Sequence, residues 1–385
     1  MPNSLKFIFF VAVFTALLQA QAQTSKPTKG QNAAVKYLRA DASLRQAYSL
    51  STDSWLKIEE ALEQPISADD EKLVTAASEA LAEFQHAANV EACDWQLSVE
   101  DGPFANTSHR GAIRELVAVS GLRARIRFRD GDRKGAISDV LAGYAAARHL
   151  SLDGSIASVL FGYKVEREIS GVLQTGLGDL TPAELAALES GFERLPQGSS
   201  MRSAVEAEKL NRNDLLEIIG NAHTRDDLIS RMSAGVPVFG NDRKKAQEVV
   251  DGCGGSLSGV VDCIDKQTAF YKKWTANFGL PPERFQEQYQ ADYALASIGN
   301  PMLKLLTPSL SRFKWAEAYN ETLRALLRAA VATEQGGAKE LPRHPDPFNG
   351  QPFSYTTSAN GFRLESLLRE NGKPLSISVF PALKK

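Results

Sequence analysis

The residues best placed to do chemistry fall between Cys93 and His109, where Asp94, Trp95, Glu100, Asp101 and His109 gather in a stretch that is neither helical in pattern nor repetitive. Carboxylates beside an imidazole can act as acid and base, and with an indole they can form a sugar-binding loop. Asp94, Asp101 and His109 are therefore the candidate catalytic residues. The same side chains fit a structural role, with Trp95 filling a helical core and the aspartates capping neighbouring turns. Nothing in the stretch fixes a nucleophile or a second catalytic carboxylate, which favours the structural role.

Other patterns invite chemistry and carry a plainer explanation beside it. Arg123, Arg125, Arg127 and Arg129 alternate with Ala124, Ile126 and Phe128. On a strand this is a basic, anion-binding face. On a helix, positions 123 and 127 share one side while 125 and 129 lie nearly opposite. The surrounding Ala and Leu favour a solvated helix, with Glu115, Asp130 and Asp132 on hand to neutralise the charge. Phe270, Trp274 and Phe278 recur every fourth residue, as do Phe285, Tyr289 and Tyr293. Such stripes can line a groove for peptide or glycan, but a helix must bury one face, so core is expected; Trp315 with Tyr319 reads the same way.

Sharper motifs are missing. The chain has no HExxH, Walker loop, GxSxG or GxGxxG, so no metal or cofactor is expected. Ser54 with Lys57 and Ser311 with Lys314 match SxxK, without the SDN and KTG partners. His86, His109, His149, His223 and His344 are scattered, with no pair at metal-ligand spacing. Asn106-Thr107-Ser108 and Asn320-Glu321-Thr322 match glycosylation sequons. Of the cysteines Cys93, Cys253 and Cys263, the last two flank a Gly-Gly-Ser turn and are the expected disulfide.

These residues must be held by helices. Ser67 with Asp70 three residues later has the form of a capping box, and Leu73, Ala77, Leu81, Phe84 and Ala88 follow at helical spacing. Thr181-Pro182-Ala183-Glu184 starts another helix, with proline at its first position and an acid in its first turn. Leu185, Leu188, Phe192 and Leu195 form its apolar stripe. Ala112 to Arg129 and Gly135 to Leu150 are helical segments joined by Asp130-Gly131-Asp132. Ala136, Ala142, Ala145 and Ala146 on the second allow close packing, as in a tetratricopeptide-type hairpin. No clean 34-residue period accompanies this hairpin, so an irregular bundle fits as well as a solenoid.

Residues 233–262, rich in Gly and Ser, are expected to form a long connection pinned by a Cys253–Cys263 bridge. Helices should resume near Asp265 and run to about Gln335, with breaks around Gly279 to Pro282 and at Asn300-Pro301. The tail changes character: Pro352 to Thr357, Phe362 to Leu368 and Pro374 to Phe380 are rich in strand formers. Asn360-Gly361 and Asn371-Gly372 separate them, and Asn-Gly is a strong hairpin signal because both turn positions need positive φ. Leu375, Ile377 and Val379 alternate as one strand face. Such a meander cannot stand alone and must pack on the helices.

The two ends of the chain and its composition bound where it works. Met1 to Lys6 is short and carries one positive charge, Phe7 to Leu18 is apolar, and Ala20-Gln21-Ala22 offers small residues for cleavage after Ala22. The apolar run is shorter than the roughly 20 residues that span a bilayer. Residues 1–22 thus read as a cleavable signal peptide, 23–33 as a flexible leader, 34–335 as the helical domain and 342–382 as the β meander. The expected location is periplasmic or extracellular, an oxidising setting that permits disulfides. With 44 basic and 46 acidic residues the net charge is −2, which argues against a dedicated nucleic-acid binder. No later stretch is long and apolar enough for a membrane span.

Two places resemble a group of exported bacterial helical proteins with no assigned activity. One is Cys93-Asp94-Trp95 followed by Asp101-Gly102-Pro103, then Leu122 to Ile126 and Gly131-Asp132 with Ala136. The other is Asp346-Pro347-Phe348-Asn349-Gly350-Gln351-Pro352-Phe353-Ser354-Tyr355, followed by Gly361-Phe362. Together they cover roughly a third of the chain. The resemblance implies a helical exported protein with a small β end and supplies no activity. The tail alone is also similar to the end of a type II secretion pseudopilin, with Ala318 to Thr333 as its helix. It departs from that pattern in lacking an acidic calcium loop, since Glu370 to Lys373 runs straight into another strand. It also lacks a Glu at the fifth position after a glycine processing site.

The expected fold is mainly α, an irregular bundle or hairpin solenoid closed by a small antiparallel β meander. The expected role is a non-enzymatic interaction or scaffold protein of the cell envelope, holding a peptide or protein partner. The alternative is an envelope hydrolase or glycan-binding enzyme working through the Cys93–His109 loop.

Overall fold

The computed structural model describes residues 32–47, 54–96, 108–207, 212–307, 309–370 and 372–381. The expected signal peptide, its cleavage site at Ala22 and nearly all of the leader lie outside these residues. So do Glu100, Asp101 and, of the first sequon, Asn106 and Thr107. The chain is mainly helical with a three-stranded antiparallel sheet at its C-terminal end. Among the described residues no helix is long and apolar enough to cross a membrane.

The first half forms α1 (Ala33–Ala47), α2 (Ser54–Glu63), α3 (Ala68–Ala76), α4 (Ser78–Ala88), α5 (Ser108–Asp130), α6 (Arg133–Ser151), α7 (Ile156–Leu177) and α8 (Pro182–Glu193). Local signals set these bounds. Ser67 and Asp70 exchange both bonds of a capping box at α3, and Thr181 and Glu184 do so at α8, with Pro182 at the first position. The stripe from Leu73 to Phe84 is buried as expected, though the helix breaks once at Ala77, dividing α3 from α4. α5 and α6 form the hairpin around Gly131 (φ +83°), with α7 packed on both. α7 crosses α6 closely at Gly162, where a Cβ would lie 2.7 Å from the Ala147 carbonyl oxygen. Only glycine fits there.

The second half contains α9 (Met201–Ala207), α10 (Arg212–Ile219), α11 (Arg225–Gly235), α12 (Arg243–Gly252), α13 (Leu257–Ala276), α14 (Pro282–Ala296), α15 (Pro301–Leu306) and α16 (Leu310–Gly336). Here the long connection expected over 233–262 is corrected. Most of it is helical: Asp242 caps α12, whose Ala246, Val249 and Val250 are buried, and Ser256 caps α13. Glycines cluster only in the turn between them, where Gly254 and Gly255 take positive φ. Cys253 and Cys263 are buried side by side as free thiols in hydrogen-bond contact, so the expected disulfide is not formed in this structure.

Three apolar clusters hold the fold. The largest unites α1 to α8 with α16 and the sheet. A second joins α10 to α13 with Met302, and a third gathers Phe270, Trp274, Phe278, Phe285 and Tyr289 around α7 and α9. The aromatic stripes are thus core, packed edge-to-face and stacked on each other. α13 belongs to both smaller clusters and ties them together, Val260 and Cys263 facing one and Phe270 and Trp274 the other.

The sheet runs β1 (Ser354–Ser358), β2 (Gly361–Glu370) and β3 (Lys373–Val379) in that order. Phe362, Leu364 and Leu368 of β2 and Leu375, Ile377 and Val379 of β3 are buried in the main cluster, so the meander packs on the helices. Glu370 pairs with Lys373 across the second turn, where Gly372 has φ +80°. The first turn differs from expectation. Ser358 pairs with Gly361, so the loop is Ala359-Asn360, and neither residue has positive φ. Gly361 is instead a strand residue; a Cβ there would lie 2.0 Å from the Val379 carbonyl oxygen. The run from Asp346 to Pro352 is a tight clamp under the sheet. Buried Asp346 accepts from the Phe348 amide and the Ser366 hydroxyl, and its own amide donates to Gln351.

Candidate functional site

Of the Cys93–His109 segment, the described residues at its two ends pack on the core. Trp95 stacks on the His109 ring at 4.6 Å and donates from Nε1 to the His149 carbonyl at 2.8 Å. Asp94 accepts from the Gln96 amide at 2.9 Å, an Asx turn that supports the positive φ of Gln96. His109 is buried, and its Nε2 lies 3.1 Å from Oδ2 of Asp153. Burial pushes the Asp153 pKa up, but bonds from His109, Ser158 and Ser155 outweigh it and hold the carboxyl at about 2. Arg110 completes the cluster by donating to Ser158 at 2.6 Å and Ser155 at 2.8 Å. In this arrangement the carboxylate sits between hydroxyl and imidazole. A nucleophilic triad needs the imidazole between the other two. Cys93 is half-buried, and burial pushes its thiol up to about 12, so it is no ready nucleophile. Asp94 and His109 therefore do not meet in an open pocket; each has a structural partner.

The alternating arginines of α5 are likewise satisfied within the fold. Arg123 and Arg127 both grip Asp139, which has no exposed side-chain surface, and Arg127 also pairs with Asp132 at 3.3 Å. Arg125 reaches over to the carbonyls of Ala61 and Gln64 and caps the end of α2. Arg129 binds Glu71 and Asp130. The helical reading of this segment holds, with Asp139 as a partner that the sequence had not singled out. Lys314 of the second SxxK match is committed to Glu317 at 3.0 Å. Asn320 of the second sequon is buried against Glu166, out of reach of a glycosyl carrier in the folded chain.

The open chemistry lies elsewhere, in a cleft between α6, α7, α16 and the loop that follows the last short 3-10 turn (Ala338–Arg343). Two adjoining cavities of about 560 and 260 Å³ share Arg148, Glu321 and Arg324. The larger has an apolar wall of Phe192, Ala325, Leu327, Pro345 and Pro347, with Tyr144 at its floor. The smaller is polar, bordered by Tyr163 and by Gln197, Ser199 and Ser200. At the junction Glu166, 2 % exposed, accepts both arms of Arg324 at 2.6 Å and the Asn320 amide at 3.0 Å. Arg148 stands 3.6 Å from the same carboxylate. It donates to the Pro196 carbonyl from Nη1, while its buried Nε is the atom that faces Glu166, without a hydrogen bond.

Electrostatics follow from this crowding. Burial pushes the Arg148 pKa down; Glu166 opposes it, and the positive neighbours Arg324 and Arg328 add to it. Burial, then the nearby Glu317, pushes the Glu321 pKa up. Arg328 makes no hydrogen bond or ion pair among the described residues, and Arg343 pairs with Glu340 at 2.9 Å. The cleft thus sets positive charge beside an apolar wall. Among the described residues that line it, no hydroxyl bonds a histidine or carboxylate, and no cluster of His, Cys, Asp or Glu fits a metal.

Sequence reasoning passed over Arg148, Glu166, Arg324 and Arg328. A signal was present: Glu166 falls at helical spacing on the apolar face of α7 with Gly162, Val165, Ile169 and Leu173, and Arg148 ends the alanine face of α6. A charge on an otherwise apolar helical stripe must find a buried partner, and here two such charges face each other. No family model matches the chain, and neither the curated proteins nor the solved structures contain a match to it.

Proposed function

We propose that this is an exported, non-enzymatic binding protein of the cell envelope, whose α6–α7–α16 cleft holds a segment of a peptide or protein partner. The observation that carries the reading is the junction of the two cavities. There Arg148, Arg324 and Arg328 gather beside Glu166 and Glu321 in a cleft whose size falls in the range of ligand sites. Export rests on the N-terminal pattern around Lys6, Phe7 to Leu18 and Ala22. A hydrolase acting through Asp94, Asp101 and His109 is the competing reading, and the burial of His109 against Asp153 and Trp95 weakens it.

Photo-crosslinking in the host tests both parts. A crosslinking side chain at Ala325, inside the cleft, should trap one dominant partner, while one at exposed Lys266 should not. The recovered protein should begin at Gln23. Equal yields at both positions would remove the cleft from the reading, and recovery with Met1 intact would remove the export.

A further inference from the structure

Resting on that reading, the charges of the cleft narrow the chemistry of the partner. Of the arginines that line it, Arg343 has its own acid in Glu340, and of the acids, Glu317 has its own base in Lys314. What remains is Arg148, Arg324 and Arg328 against Glu166 and Glu321. Three guanidiniums facing two carboxylates leave one positive charge unanswered. Glu166 spends both oxygens on Arg324 and Arg148 stands 3.6 Å off it, so the guanidiniums that line the cleft without a close acid are those of Arg148 and Arg328. One open positive charge in a half-buried setting matches one carboxylate. A phosphate, with nearly two negative charges, would overmatch it and meet Glu166 and Glu321 at close range.

The walls say what accompanies that carboxylate. Directly beside the arginines lies the apolar surface of Phe192, Leu327, Pro345 and Pro347; on the other side lie Gln197 and Ser200, polar groups of a segment outside any helix. A carboxylate, an apolar side chain and a polar main chain meet at one place in a polypeptide, its C-terminal residue. We propose that the cleft recognises the C-terminus of a partner polypeptide, with the free α-carboxylate on Arg148 and Arg328 and an apolar last side chain against Phe192 and Leu327. An internal Asp or Glu would put its carboxylate at the end of a side chain and leave the apolar wall without an occupant.

Titration calorimetry on the mature protein, residues 23–385, separates the possibilities with three probes. These are acetyl-Ala-Ala-Ala-Leu as free acid, the same peptide as C-terminal amide, and an amidated peptide with internal Glu. The free acid should bind at least about tenfold more tightly than either amidated peptide. Arg148→Met and Arg328→Ala should each weaken the acid at least about tenfold and leave the amide unchanged. Arg328 is exposed and without a partner, so that variant remains informative if Arg148→Met fails to fold. Equal binding of acid and amide would overturn the carboxylate while leaving a peptide-binding cleft. Equal binding of the internal-Glu peptide would overturn the chain terminus as its source. Inorganic phosphate competing better than acetate would overturn the charge match. Absence of binding by all three peptides up to about 1 mM would overturn the inference, while the crosslink at Ala325 would still decide the cleft's role separately.

Discussion

Two groups of arginines in this molecule are comparably buried and differently treated. On α5, Arg123 and Arg127 keep 11 % and 29 % of their side-chain surface; in the cleft, Arg148 and Arg324 keep 17 % and 37 %. The first pair meets two carboxylates, Asp139 and Asp132, and their donors are taken up at 2.5 to 3.3 Å. In the second, one fully buried carboxylate is occupied by Arg324, and Arg148 stands off at 3.6 Å with a nitrogen unmatched. Burying charge costs several kcal/mol per ion, and good geometry with full hydrogen bonding is what offsets it. Where the offset is complete, the cluster is structure. Where it is partial, the cluster keeps a positive charge on which no acid of the fold closes tightly. Arginine content alone does not separate the two, since the denser run of arginines is the closed one.

The sharpest way to break the contrast is to remove the acid that closes the first group. Asp139→Ala leaves Arg123 and Arg127 facing a buried void and strips a bond from Gln85. Loss of one side of such a pair costs about 3–5 kcal/mol, so the urea midpoint should fall steeply. An unchanged midpoint would mean that the α5 cluster is no more structural than the cleft.

A second measurement uses a charge that the N-terminal core refuses. His149 is fully buried, and its Nδ1 is 3.0 Å from the Tyr37 hydroxyl. Burial pushes its pKa down to about 4, outweighing the Glu91 carbonyl, which favours the protonated ring. In the unfolded chain a histidine titrates near 6.5, at about that value. Between those two points the unfolded chain takes up a proton that the folded one declines. Stability from this group is therefore complete above pH about 6.5 and drains away as pH falls toward about 4, by on the order of 3 kcal/mol. Urea unfolding at pH 7.5 and 4.5 should show this loss in the natural protein and much less of it in His149→Gln. Parallel losses in both would assign the acid sensitivity to other groups.

What was legible in the sequence divides along the same line. Signals confined to a few neighbouring residues held: the box at Ser67, the helix start at Thr181-Pro182, the Gly131 turn and the alternation Leu375, Ile377, Val379. Each depends on bonds or faces within one element. Composition misled at 233–262, because glycines crowded into one turn concealed two capped helices with Val249, Val250 and Val260 as their buried face. Gly361 was read as a turn residue when what demands glycine is Val379 on the next strand. The cleft escaped notice because it joins residues 148, 166 and 324, and no local spacing reports a meeting over that distance along the chain. Asp94 and His109 drew attention by clustering in sequence, yet their side chains are tied to Gln96 and Asp153.

The smallest expected effect belongs to Arg328, and it carries the contrast furthest. Its side chain is exposed and makes no hydrogen bond or ion pair among the described residues, while its charge lies close enough to disfavour the ionised form of Arg148. Replacing it with alanine removes one like-charge neighbour and no stabilising contact. The unfolding free energy of Arg328→Ala should stay within about 0.5 kcal/mol of the natural protein, with any change toward greater stability. Denaturant titration of the two proteins side by side reads this directly. A loss above about 1 kcal/mol would mean that Arg328 has a structural partner, and the cleft would then resemble the α5 cluster, closed on itself. A neutral result combined with loss of peptide binding would show that this charge serves a partner and not the fold.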